Sequence, residues 1–223
     1  MVQFFTIISM SIVLYVIFLY VTNFYKSDGT QRYFIKQKLS GFFLLFAVPA
    51  IASYLIEFTY TFTQFSLVNS TFYLFLPLMA GVMIAFNHFH TSRNAKIREQ
   101  YPEMRYSDWT INRVLLDASG WFLFLFGYEF LFRGLVLHAS LAVMPVFWAI
   151  LLNITLYAIA HLPKSKDEVI GAFFFGIILC LVTIKTGNIW FAVILHFIQA
   201  FSTGLFSIMN NKDMHFLTQK SND

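Results

Sequence analysis

The chain has 223 residues, of which 58% are hydrophobic, 20% aromatic and only 12% charged. A soluble domain carries about 25% charged residues, and 29 Phe, 11 Tyr and 4 Trp are more apolar surface than a water-soluble globule of this length can hide. Disorder is excluded because it requires low hydrophobicity, and the net charge of +4 does not point to nucleic acid, since no basic stripe interleaves with exposed aromatics. The composition therefore predicts an all-α, polytopic transmembrane helical bundle in a cell membrane, with the lipid bilayer as a partner.

A crossing helix needs roughly 20 mostly apolar residues, because about 30 Å of hydrocarbon is spanned at about 1.5 Å per residue. Taken in chain order, the sequence predicts about seven such spans. The first covers residues 3–24; no basic region precedes it and no small-residue cleavage site follows, so it does not read as a processed signal peptide. The second covers 39–58 and contains Pro49; the third covers 66–89 and contains Pro77. The fourth, 111–138, is too long for an upright crossing and is expected to begin with an interfacial lead-in through Asp117. The fifth covers 144–161, the sixth 169–183 and the seventh 188–209. Three regions follow from this division: an N-terminal three-span region over 1–105, a core over 106–209 and a tail over 210–223.

The loops orient the bundle. Lys26, Arg32, Lys36 and Lys38 follow the first span; Arg93, Lys96, Arg98, Arg105 and Arg113 follow the third; Lys164 and Lys166 follow the fifth; Lys212 and Lys220 follow the seventh. Thus 13 of the 15 basic residues lie on one side, which is the cytoplasmic side. The expected topology has the N-terminus outside and the C-terminus inside. Residues 88–110 form the largest cytoplasmic loop, which contains Tyr101-Pro102-Glu103-Met104-Arg105 and an expected short interfacial helix, and its expected role is that of a solvated topological anchor. Lys164 and Glu168, at i and i+4, are expected to form a rim ion pair.

Ionisable groups at membrane depth are costly and mark candidate sites. In Gly127-Tyr128-Glu129-Phe130-Leu131-Phe132-Arg133-Gly134, Glu129 and Arg133 share a helix face at i and i+4. Counted from Asp117, Glu129 lies about 18 Å along the helix, past the midplane. Gly127 and Gly134 would admit a neighbouring helix. His161 ends the fifth span in Tyr157-Ala158-Ile159-Ala160-His161-Leu162-Pro163, with Tyr157 one turn earlier on its face. His196 lies within the seventh span and needs a partner or a cavity; Tyr157 and Asn153 are the candidate hydrogen-bond partners. One carboxylate and two imidazoles can activate water, move a proton and stabilise an oxyanion. The same types could bind zinc, but no local spacing supports it. No cofactor and no required metal are expected, and Cys180, the single cysteine, has no partner for a disulfide or a thiolate site.

The order and membrane placement of these motifs resemble the CPBP intramembrane proteases, the group of type II CAAX prenyl endopeptidases and bacterial homologues linked to bacteriocin processing or self-immunity. The family's Glu-Glu-x-x-x-Arg helix falls on Tyr128-Glu129-Phe130-Leu131-Phe132-Arg133, its Phe-x-x-x-His helix on Tyr157-Ala158-Ile159-Ala160-His161, and its His-x-x-x-Asn helix on His196-Phe197-Ile198-Gln199-Ala200. The resemblance covers about residues 110–205. It implies a metal-independent endopeptidase acting on a membrane-associated protein or peptide, with Glu129, His161 and His196 as catalytic residues and Arg133, Tyr128, Tyr157 and Asn153 in support. Two positions depart from the pattern: Tyr128 replaces the first glutamate, and Ala200 replaces the closing asparagine. The rival readings are a non-catalytic scaffold or immunity protein, which the two departures favour, and a proton-coupled transporter, which the absence of an inverted repeat disfavours. Convergence of the three residues also requires a cytosol-facing funnel or a broken fifth helix, because His161 is placed at the cytoplasmic edge and Glu129 past the midplane.

Overall fold

The computed structural model describes residues 1–22, 27–58, 70–162 and 166–217, with backbone alone at 70–74 and 167. The end of the first expected span, the start of the third, Pro163, the Lys164 half of the expected Lys164–Glu168 pair, and residues 218–223 lie outside these. The helices, in chain order, are α1 (Val2–Thr22), α2 (Gln31–Leu55), α3 (Ser70–Arg93), α4 (Ala95–Gln100), α5 (Ile111–Leu141), α6 (Val146–Ile159), α7 (Lys166–Thr186) and α8 (Trp190–Met209). Two short strands, β1 (Asp108–Trp109) and β2 (His215–Phe216), pair in parallel.

Seven of these helical stretches stand where the seven spans are expected. By length and composition, five of them are able to cross a membrane: α1, α2, α5, most of α7, and α8. Helix α6 is a shorter apolar helix of 14 residues, about 21 Å long. Local chemistry sets the ends. Thr30 and Thr110 accept from the backbone amides of Tyr33 and Arg113 and so cap α2 and α5, satisfying donors that helix starts leave open. Before α8 the chain turns at Gly187, whose φ of +67° suits glycine, and Asn188 Oδ1 accepts from the Trp190 amide.

Helix α5 is the central element. In its most apolar window 78% is buried, against 22% for α1, and it packs on α2 and α8. The outer helices keep large apolar side chains exposed, such as Phe5, Val13, Val16, Leu78, Val82 and Phe174. That is the pattern of a bundle solvated by lipid. Close approach of α2 to α5 depends on glycine. A Cβ on Gly127 would lie 3.4 Å from the Gly41 carbonyl oxygen, and a Cβ on Gly41 would lie 2.3 Å from Phe124 Cδ2. Gly41→Ala is therefore expected to cost about 1–3 kcal/mol through overpacking. Gly81→Ala, with nothing within 4 Å of the added methyl, should be neutral or slightly stabilising. Thermal melting of both variants in detergent checks this; a Gly41→Ala protein as stable as Gly81→Ala would contradict the packing.

The short helix expected within the 88–110 loop is α4, which lies ahead of Tyr101 because α3 continues to Arg93, Asn94 caps α4, and the residue before Pro102 is extended. Two expectations are corrected. Helix α5 runs without a break past Asp117, which is 3% exposed inside the bundle, so this segment is part of the bundle and not a lead-in apart from it. Residues 101–105 are not merely a solvated anchor, since Met104 is fully buried and Glu103 reaches Lys38. The fold is all-α as expected; the tail only adds one short pairing of β2 with β1, with hydrogen bonds from the His215 amide to Ser107 O and from the Leu217 amide to Trp109 O.

Candidate active site

The central helix presents its acid and base together. Arg133 Nη1 lies 3.1 Å from Glu129 Oε2 and 3.3 Å from Oε1, and both side chains are wholly enclosed. The guanidinium also lies 4.2 Å from the Tyr157 ring centroid, a favourable cation–π distance. Space for it comes from α7, where a Cβ on Gly176 would lie 3.4 Å from Arg133 Nη2 and 3.1 Å from Tyr157 Cδ1. Directly after Glu129 the helix widens into π-helical turns over Phe130–Leu137. Such turns recur at functional sites. Asn153 Nδ2 donates to the Phe132 carbonyl in this segment at 2.6 Å, and Cys180 Sγ donates to Asn153 Oδ1 at 3.2 Å. Asn153 thus anchors the widened turns and is not the partner of His196.

Helix α8 brings His196 against the acid. Its Nδ1 is 2.5 Å from Glu129 Oε1. A carboxylate accepts only, so Nδ1 carries the proton and Nε2 of the neutral ring accepts. The Tyr157 hydroxyl donates to that Nε2 at 3.4 Å. His161 is fixed by the same logic: its Nδ1 donates to the Tyr157 carbonyl at 2.9 Å, which makes Nε2 the acceptor nitrogen. From α1, the Tyr15 hydroxyl donates to the Ala160 carbonyl at 3.1 Å and holds the turn after α6. Glu129 and His196 are therefore in direct contact, while His161 joins them through Tyr157, its ring centroid 4.7 Å from that of Tyr157. The separation read from the sequence is absent: the turn that follows α6 brings His161 to the cavity that His196 and Tyr128 also line.

A cavity of about 30 Å³ lies beside these groups, enough for a water molecule. His161, His196 and Tyr128 line it from the three motifs, Trp121 lines it from further back on α5, and Lys38 and Glu103 line it from elsewhere. Glu129 does not line it and meets it through His196. Lys38 Nζ sits 2.7 Å from Glu103 Oε2 and 3.4 Å from the Trp121 ring centroid, with Lys38 only 2% exposed. Sequence reasoning counted Lys38 as a loop charge and Glu103 as part of an anchor. Only their common presence beside the cavity reveals them, and no local spacing could have done so. Among the described residues no group of three or more His, Cys, Asp or Glu is placed to hold a metal ion, and Glu129 is already engaged by Arg133 and His196.

The class defined by this fold and site is a membrane-embedded, protease-like helical domain. Residues 110–202 match the family model described as Type II CAAX prenyl endopeptidase Rce1-like, a family-level match consistent with the CPBP/CAAX resemblance of the motifs. It spans all three motifs and under half of the chain. No curated protein and no solved structure matches the chain.

Proposed function

We propose that the chain is an intramembrane endopeptidase hydrolysing a peptide bond in a membrane-associated protein or peptide. The observation that carries this reading is the 2.5 Å contact of Glu129 with His196, an imidazole that shares a water-sized cavity with His161. Water in the cavity attacks the scissile carbonyl carbon. As water enters, the Tyr157 hydroxyl gives up Nε2 of His196, which takes a proton from that water, and Glu129, held ionised by Arg133, stabilises the imidazolium formed through Nδ1–H. His161 orients the water, and the imidazolium then passes its proton to the leaving amine, which returns His196 to its starting state. Because Glu129 is enclosed, His196 is the group that meets water in this reading.

Unbiased membrane peptidomics on wild type against Glu129→Gln, at matched expression, tests the reading. Accumulation of an uncut substrate only in the variant supports it. Identical peptide profiles with the cellular phenotype intact favour the rival, a non-catalytic scaffold or immunity protein. The enclosure of Glu129 and the alanine at Ala200 speak for that rival. The proposed topology places the N-terminus outside and the C-terminus in the cytoplasm. A reporter fused after Asp223 should read out in the cytoplasm, and a signal from the opposite face would reverse the orientation.

A further inference from the structure

Tyr128 stands one residue before Glu129, about 100° around the helix, where a side chain need not share the same pocket. The fold puts it there nonetheless. Tyr128 lines the cavity with His161 and His196, its ring centroid 6.3 Å and 5.8 Å from theirs. The residue is 3% exposed, yet its hydroxyl oxygen is buried and meets no hydrogen-bond partner among the described residues. A buried phenol normally finds a partner, and one left without is costly. The ring cannot swing to find one easily. It stacks on Phe132 at 4.6 Å and meets Tyr157 and Phe124 at 5.7 Å and Tyr15 at 6.1 Å. The other hydroxyls around the cavity are committed, Tyr15 to the Ala160 carbonyl and Tyr157 to His196. Among the motif side chains that line the cavity, Tyr128 thus carries a hydroxyl hydrogen that no described acceptor takes.

We propose that Tyr128 Oη is a donor to the substrate: it holds the carbonyl oxygen of the scissile bond and stabilises the oxyanion as water adds. The inference rests on the peptidase reading. When the water oxygen bonds to the carbonyl carbon, the C=O π electrons move onto oxygen, and the Tyr128 O–H shortens its hydrogen bond to that charge without giving up its proton. On collapse the C–N bond breaks, the electron pair returns to form the new C=O, and the amine leaves with the proton passed on by the His196 imidazolium. A donor held rigidly by surrounding rings is preorganised for this role, because it does not have to reorient as charge develops. The site then replaces, from α5, the donor that Ala200 does not provide on α8.

The test uses the full chain in phosphatidylethanolamine–phosphatidylglycerol vesicles with a quenched-fluorescent peptide library, then the best-cleaved sequence as substrate. Tyr128→Phe keeps the ring stack and removes one oxygen. It should melt with wild type, keep KM within about threefold, and lose about 10²–10³ in kcat, the usual loss for one oxyanion donor. A trifluoromethyl ketone of the same sequence, which binds as a tetrahedral hydrate, should lose at least tenfold affinity in Tyr128→Phe, while the uncleaved D-peptide isomer binds equally to both. Kcat within threefold of wild type, or a rise in KM alone, overturns the donor role while leaving the peptidase reading standing. A wild type that cleaves nothing, indistinguishable from Glu129→Gln, overturns both.

Discussion

Glu129→Gln is expected to lower kcat by about 10³–10⁴-fold with a much smaller change in KM, since an acid that orients and neutralises a catalytic imidazolium contributes about that much in comparable dyads. The reason lies in the contacts. Glu129 Oε1 receives His196 Nδ1–H at 2.5 Å, and Arg133 Nη1 reaches both oxygens. A glutamine has the same shape, but its oxygen carries no full charge to offset an imidazolium, and its NH2 can turn toward Nδ1 and force the opposite tautomer. His196 would then offer Nε2–H to the cavity in place of a lone pair. Because the neutral side chain leaves Arg133 enclosed without a counter-charge, some loss of stability is also expected. Activity must accordingly be compared per folded molecule, with the fraction folded read from melting and size exclusion. A folded Glu129→Gln protein that keeps more than about a tenth of wild-type kcat would remove Glu129 from the chemistry, because the dyad argument requires at least a hundredfold more.

The parts of this site that sequence makes legible are those set by local periodicity. Apolar runs mark the helical stretches, and the i, i+4 spacing of Glu129 and Arg133 places them on one face whatever surrounds the helix. His161 was legible as a residue but not in its contacts, because the periodicity of α6 does not say which elements close around the turn after Ile159. For Tyr128 the sequence leaves the pocket open, because helix geometry fixes an angle of about 100° between neighbours and not what lies on each side. Helix α5 is enclosed on most of its circumference, so adjacent faces of it meet the same cluster of aromatic rings. Lys38 and Glu103 were invisible for a different reason. They are joined by a loop that folds back over the bundle, a contact between residues 65 apart in sequence that neither charge count nor periodicity encodes. The same holds for the pairing of β2 with β1, which depends on where the chain emerges from α8.

Arg133→Met should be the most destabilising of the single changes considered, by about 3–5 kcal/mol, the cost of breaking an enclosed ion pair and leaving one charge behind. Both side chains are wholly enclosed, so the orphaned Glu129 cannot recover water, and it must either take up a proton or draw one onto His196. Methionine fills much of the lost volume, so a cavity contributes little to the loss. On the scale of a chain this long the loss corresponds to a fall in melting temperature on the order of 10 °C. The double variant Glu129→Leu/Arg133→Met separates the charge from the packing. With both partners apolar, no group is left unpaired, and stability should return to within about 1–2 kcal/mol of wild type or rise above it, while turnover stays absent because nothing then charges or orients His196. Melting of the two single variants and the double in one detergent gives the coupling energy directly. Additive losses, with the double less stable than either single, would mean that the pair does not act as a unit. A recovered fold without recovered activity would show that the Glu129–Arg133 pair is needed for turnover and not for the fold, which is the outcome expected if its charge serves His196.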